Sequence, residues 1–198
     1  MSRALVAVGL VALAAVAAAQ EVTTVSVSTG LILLKDDTVA PIDLGKRYVK
    51  WKVRTKLDPV EHQVAIPAPG SAGDPTMVGA TFTVYNTTGS GEAVSVDLAA
   101  SRWLWTGGLY KYTNPAGPVR VVYVRPYKLY VRGAGAGWGY TLDEPTQGRI
   151  GVRLRLGTAI EWCGEAPGRL PASLYDRPDK FWSAKSAAPA TCAALPGP

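Results

Sequence analysis

The chain has 198 residues, of which 47% are hydrophobic and 18% charged, and its formal net charge is +6 at neutral pH. This balance is typical of a folded protein with one domain, or at most two small ones, and excludes an intrinsically disordered chain. One histidine and two cysteines are too few for a zinc site of the usual ligand set unless carboxylates complete it. We therefore expect no metal and no cofactor.

Residues 1–19 have the layout of a secretory signal peptide. Arg3 precedes an uncharged, alanine-rich run, which ends in small residues of the kind that signal peptidase accepts. The pattern predicts a signal-peptide helix cleaved near Ala19, and a secreted or periplasmic protein. An uncleaved anchor helix is the alternative. After residue 20 no apolar stretch is long enough to span a bilayer, so we expect no transmembrane segment in the mature chain.

Alternation of apolar and polar residues with a period of two recurs along the rest of the chain and predicts strands. In the run 47–56, Val49, Trp51 and Val53 share one face, and the other face carries Lys50, Lys52, Arg54 and Lys56. Further runs of this kind are 80–86, 93–98, 119–124, 127–131 and 149–156. Arg125–Pro126 lies between the runs 119–124 and 127–131. It predicts an edge, a bulge or a strand break, because proline cannot donate to a strand ladder.

Turn residues separate these runs, and the segment 86–92 predicts a hairpin loop between two strands. No amphipathic helix is evident after the signal segment. The pattern predicts an all-β fold, an antiparallel two-sheet β-sandwich of about nine or ten strands, with a β-barrel or jelly roll as the alternative. We expect a single domain over residues 20–198.

The two cysteines allow one intramolecular pairing, Cys163 with Cys192. An exported protein meets an oxidising environment, so we expect this pair to form a structural disulfide. The residues between the cysteines are rich in proline, alanine and serine and show little periodicity. We therefore predict that segment 164–198 is rich in loops and that the disulfide keeps it from fraying.

Few residues suit catalysis. A Ser–His or Cys–His mechanism would have to use His62, which stands beside a proline turn and is expected to lie on the surface. Asp143 and Glu144 follow Trp138 and Tyr140, an association typical of sugar clefts, yet adjacent residues of a strand point apart. We predict a protein that is not an enzyme, with a carboxylate-dependent glycoside hydrolase as the alternative.

Aromatic residues supply candidate ligand-binding positions. Trp103 and Trp105 share one strand face at a spacing of two, and so do Trp138 and Tyr140. Rings on one face of a sheet can stack on sugar rings, so these four residues are the candidate glycan platform. The competing interpretation is that the tryptophans pack in the core, where their large area stabilises the fold.

Basic residues on the polar faces of two predicted strands suggest a second kind of partner. If Lys50, Lys52, Arg54 and Lys56 lay next to Arg149, Arg153 and Arg155, they would form a patch suited to anionic envelope polymers. Outward lysine and arginine also prevent strands from pairing edge to edge between molecules, so a merely solvated face is the competing interpretation. We expect no specific nucleic-acid partner.

Four segments of the chain are similar to segments of a known protein family: 70–76, 80–103, 140–163 and 188–192. The most specific similarity is the run YTLDEPTQG, which begins at Tyr140. Over most of residues 45–192 the chain resembles an uncharacterised family of exported bacterial β-rich modules. The resemblance implies an exported accessory module and no particular activity or site.

Together these features predict a secreted, non-catalytic binding or structural surface module with a polysaccharide or another cell-envelope component as its candidate partner. A glycoside hydrolase and a basic, adhesin-like domain that binds anionic envelope polymers are the two alternatives.

Overall fold

The structure, a computed structural model, describes residues 21–37, 41–88 and 90–196, so the predicted signal peptide lies outside the described residues. Thirteen strands run through these ranges. They are β1 (Thr23–Ser26), β2 (Thr29–Lys35), β3 (Tyr48–Arg54), β4 (Ala80–Asn86), β5 (Ala93–Leu98), β6 (Trp103–Trp105), β7 (Tyr110–Thr113), β8 (Val119–Arg125), β9 (Lys128–Ala134), β10 (Arg149–Leu156), β11 (Ile160–Pro167), β12 (Asp176–Arg177) and β13 (Lys180–Ser183). The two α-helices, α1 (Pro75–Val78) and α2 (Ala172–Tyr175), have four residues each. Short 3-10 turns span Leu44–Lys46, Val60–His62 and Ala100–Arg102.

The strands form two sheets that pack face to face, as the sequence predicts. The smaller sheet has five strands in the order β1-β11-β10-β4-β5, and the larger has eight in the order β12-β13-β2-β3-β9-β8-β7-β6. Every pairing is antiparallel except that of β1 with β11. No helix within the described ranges is long and apolar enough to cross a membrane.

The apolar faces of the predicted strands meet between the sheets. Val49, Trp51 and Val53 of β3 are buried, and on β10 the alternate residues from Ile150 to Leu156 are buried as well. Phe82 of β4 reaches across the core, with its ring 6.4 Å from that of Trp51 and 6.1 Å from that of Trp138. The period-two pattern therefore identifies the inner faces correctly.

Two of the connections between consecutive strands test predictions made from the sequence. The segment after β4 leads directly back into β5, so the predicted hairpin loop at 86–92 is confirmed. The interruption at Arg125–Pro126 is a tight turn that joins β8 to β9, with Arg125 opposite Lys128 and Tyr127 in the left-handed region at φ 64°. Proline occupies the turn, where its missing N–H removes no ladder hydrogen bond.

The C-terminal segment is more regular, over its described residues 164–196, than predicted. Cys163 and Cys192 form the expected disulfide. However, segment 164–198 contains the end of β11 together with β12 and β13, and β13 pairs with β2, a strand that the sequence pattern did not reveal. Both strands escaped prediction because β13 has only four residues and β2 reads as a nearly continuous apolar run without alternation.

Candidate functional site

The predicted aromatic platform does not exist as an exposed surface. Trp103, Trp138 and Tyr140 are 6%, 1% and 1% exposed, and the half-buried Trp105 packs its ring 4.5 Å from that of Tyr110. Trp103 Nε1 donates to the carbonyl of Leu98, and the Tyr140 hydroxyl is likewise held inside the protein. The burial of three of the four rings argues against a glycan platform on these residues, since a buried ring cannot stack on a sugar.

His62 has no catalytic constellation around it. The residue is half-buried, and its Nδ1 lies 3.0 Å from the Oγ of Ser26 and 2.9 Å from the carbonyl oxygen of the same residue. Within the described part of the chain no carboxylate hydrogen-bonds to the ring, so the acid that orients the histidine of a catalytic triad is missing. His62 fixes β1 to the loop after β3.

The fold brings a third carboxylate to the predicted acidic pair. Glu92, Asp143 and Glu144 offer carboxylate oxygens that all lie within 4.8 Å of one another. Glu92 accepts hydrogen bonds from the backbone N–H of Thr141 at 2.8 Å and from its hydroxyl, and Glu144 accepts one from Gln147. Sequence reasoning missed Glu92 because it belongs to the distant loop before β5.

The surroundings of Glu92 and Glu144 shift the pKa values of the two carboxyl groups in opposite directions. Burial raises the pKa of Glu92 above its usual value, while hydrogen bonds, among them that from Gln147, outweigh burial at Glu144 and lower its pKa. A pair of acids with opposed pKa shifts is one requirement of acid–base catalysis, and three carboxylates could hold a hard cation such as Ca²⁺. The hydrogen bonds from Thr141 to Glu92 also give the cluster a structural role, since they join two loops.

The outer face of the eight-stranded sheet is strongly basic. Seven cationic residues on four adjacent strands make up what we call the basic face: Lys50, Lys52, Arg54, Lys111, Arg125, Lys128 and Arg132. None of the seven forms an ion pair within the described ranges. A groove of about 690 Å³ runs over this face, and its lining includes six lysines and arginines and no acid.

Cross-strand register places several of these cations directly opposite one another. Lys50 pairs with Arg132, and Lys128 lies between Arg54 on one side and Arg125 on the other. Like charges in opposed positions destabilise a sheet. The arrangement thus has a cost to folding that no ion pair between described residues relieves.

Two tyrosines lie in the middle of the basic face. Tyr123 of β8 and Tyr130 of β9 are cross-strand partners whose rings stack, with centroids 5.8 Å apart and an interplanar angle of 24°. The ammonium group of Lys111 lies 6.0 Å from the centre of the Tyr123 ring. Both tyrosines are half-buried, so ring faces or edges remain open to the groove.

The basic face differs from the predicted basic patch. Arg149, Arg153 and Arg155 lie on β10 in the other sheet, where Arg149 pairs with Glu165 at 3.4 Å and Arg153 with Glu161 at 2.8 Å. They do not join the cations of β3, because strands that look alike in sequence belong to different layers. Three other members of the basic face, Arg125, Lys128 and Arg132, occupy polar positions of the runs 119–125 and 128–134, which the local pattern identifies. Which strands lie beside these runs depends on contacts between residues far apart in the chain, and the local pattern does not predict it.

Comparison of the chain with protein families, curated proteins and solved structures finds no match.

Proposed function

We propose that this protein is an exported, non-catalytic module that binds an extended anionic polysaccharide across its basic face. Export is supported by the predicted signal peptide at 1–19 and by the Cys163–Cys192 disulfide, which persists in an oxidising compartment. A polymer is the favoured ligand because the groove is open and follows several strands, unlike the enclosed cavity that takes a small molecule.

The observation that carries the proposal is the set of like-charge pairs, Lys50 with Arg132 and Lys128 with Arg54 and Arg125. Folding alone would favour an acid in one position of each pair. Residues whose arrangement destabilises the fold are often kept for function. Here a bound anionic ligand would remove the repulsion between the cations. Cations on one strand face repeat about every 7 Å, and adjacent strands lie about 4.8 Å apart. The positive charges therefore form a regular two-dimensional array on this face.

The tyrosine pair favours a polysaccharide over other polyanions. Tyr123 and Tyr130 give the centre of the groove a small aromatic surface, which can contact the apolar face of a sugar ring. An exported protein also meets envelope or extracellular glycans more often than nucleic acid.

Binding of fluorescently labelled polygalacturonate tests the proposal. We expect binding that weakens at least about tenfold between about 20 mM and about 300 mM NaCl, since bound counterions are released on association. Neutral dextran should not bind. Equal binding of single-stranded DNA and polygalacturonate would show a general polyanion surface and overturn the assignment to a polysaccharide.

A matched pair of variants locates the site. The double variant K50Q/R132Q should weaken polygalacturonate binding about fivefold or more, because it removes one opposed pair from the basic face. R149Q/R155Q changes the net charge equally but alters the other sheet, so it should bind nearly as the wild type does. Equal losses in both variants would mean that overall charge, not the basic face, holds the polymer.

A glycoside hydrolase is the second candidate, favoured by the convergence of Glu92 with Asp143 and Glu144. Release of reducing sugar from a panel of polysaccharides measures it directly. We expect none. Turnover that disappears in E92Q, with unchanged folding by circular dichroism, would establish hydrolysis and overturn the non-catalytic proposal.

A further inference from the structure

Apolar side chains protrude from one end of the eight-stranded sheet. Leu57 and Val60, in the loop that follows β3, are 96% and 81% exposed, and Tyr127 in the β8–β9 turn is 39% exposed. We call the loop 55–64 and the turn 125–128 together the tip. Isolated apolar residues are common on protein surfaces, but these three belong to two segments that lie side by side at one end of the sheet.

Hydrogen bonds hold the tip in one shape. The backbone N–H of Thr55 donates to the carbonyl of Tyr127, and the N–H of Tyr127 donates to the carbonyl of Val64, each at 2.9 Å. The Thr55 hydroxyl in turn accepts from the N–H of Val64 at 2.9 Å. The loop and the turn therefore form one unit, and the backbone holds Leu57 and Val60 out of the core.

Cations outnumber acids at the tip and at the strand ends that lead into it. Arg54, Lys56, Arg125 and Lys128 are exposed residues of the tip or the strand ends that lead into it. The loop also contains two acids, Asp58, which accepts a hydrogen bond from the Ser28 hydroxyl, and Glu61. The four cations outnumber these acids, so the tip combines protruding apolar groups with positive charge.

We propose that the tip docks on a lipid surface with anionic headgroups. Leu57 and Val60 enter the interfacial layer, and the four cations contact headgroup phosphates, an arrangement that gains from both apolar burial and electrostatic attraction. Charge complementarity favours this occupant, because the four cations at the tip and the adjoining strand ends outnumber the two acids and would meet anionic headgroups. The tip shares Arg54, Arg125 and Lys128 with the basic face, whereas the apolar contact through Leu57 and Val60 belongs to the tip alone.

Co-sedimentation with vesicles tests the docking. We expect the protein to bind vesicles of phosphatidylglycerol and phosphatidylethanolamine and not vesicles of phosphatidylcholine alone. The variant L57S/V60S should weaken binding about tenfold or more, since each lost side chain removes apolar area from the interface. M77S/L170S replaces two other exposed apolar residues, 64% and 80% exposed, outside the tip and should bind as the wild type does.

A second measurement separates insertion from adsorption through charge. In vesicles with brominated acyl chains, a Leu57→Trp variant should lose more fluorescence than the wild type, whose six tryptophans set the baseline, whereas Met77→Trp should not. Vesicle binding that L57S/V60S leaves unchanged, or an unquenched Trp at position 57, would overturn the proposal. A dimer in sedimentation equilibrium that L57S/V60S dissociates would also overturn it and assign the tip to self-association. Loss of polygalacturonate binding in K50Q/R132Q with intact vesicle binding would separate the two sites.

Discussion

Glu92 illustrates how the fold changes the chemistry of one side chain. Its carboxylate is half-buried beside Asp143 and Glu144, and burial raises its pKa above the ordinary value of 4.5 despite the hydrogen bonds from Thr141. A raised pKa means that the folded protein binds the proton more tightly than the unfolded chain does. The ionised form of Glu92 therefore opposes folding.

The variant E92Q should reveal this effect as a function of pH. Any stabilisation from protonated Glu92 is present below pH 4.5 and is lost as the pH rises through the raised pKa, whereas glutamine does not titrate. The difference in unfolding free energy, E92Q minus wild type, should therefore increase between about pH 4 and pH 7. Urea denaturation across this range measures it. A difference that is constant with pH would show that Glu92 has the same pKa in both states.

The C-terminal strands owe their position to pairing and to a covalent link. β13 adds to the eight-stranded sheet beside β2, and the chain then returns to the five-stranded sheet, where Cys192 is bonded to Cys163 of β11. Short strands such as β13 form few ladder hydrogen bonds. The disulfide limits the freedom of the unfolded chain across the 29-residue separation and so favours the ordered segment.

Removing the link with C163S/C192S should lower the free energy of unfolding by about 3–4 kcal/mol on the chain-entropy model. Thermal denaturation of the oxidised wild type, the reduced wild type and the variant makes the comparison. Reduction should bring the wild type close to the variant. A variant as stable as the oxidised protein would mean that strand pairing alone keeps the C-terminal segment in place.

Charge is distributed unevenly over the whole molecule. Among the described residues, the cations on the outer face of the larger sheet form no ion pair, whereas Arg149 and Arg153 of β10 pair with acids in the smaller sheet. Repulsion within the basic face opposes folding at low ionic strength. Salt screens charges that lie farther apart than about 10 Å at 0.1 M and weakens nearer interactions between exposed groups.

Moderate salt should consequently stabilise the protein. Between about 10 mM and about 150 mM NaCl we expect the free energy of unfolding to rise by about 1 kcal/mol, the order of a few screened pairs in water. The increase should be smaller in K50Q/R132Q, which lacks one opposed pair. Stability that falls with added salt would show that attractive surface pairs outweigh the repulsion on the basic face.

Local pattern was enough to find the strands with a regular alternation and to tell which of their faces points inward. Val49, Trp51 and Val53 are buried as predicted because the period of two is a property of a single strand. The cysteine pairing was also accessible, since two cysteines allow one internal bridge. The strands β2 and β13 were not, because a continuous apolar run and a four-residue segment carry no clear period.

Which surfaces meet, and what each of them offers to a ligand, depends on contacts between residues far apart in the chain. Alternation shows that Trp103 shares a strand face with Trp105, but only packing of the second sheet makes that face the inner one, and Trp138 is buried although it lies in the loop after β9. In the same way, the polar residues of β3, β8 and β9 become one basic face through strand order, which local sequence does not encode. Strand order follows from the burial of both sheets at once, a property of the complete chain.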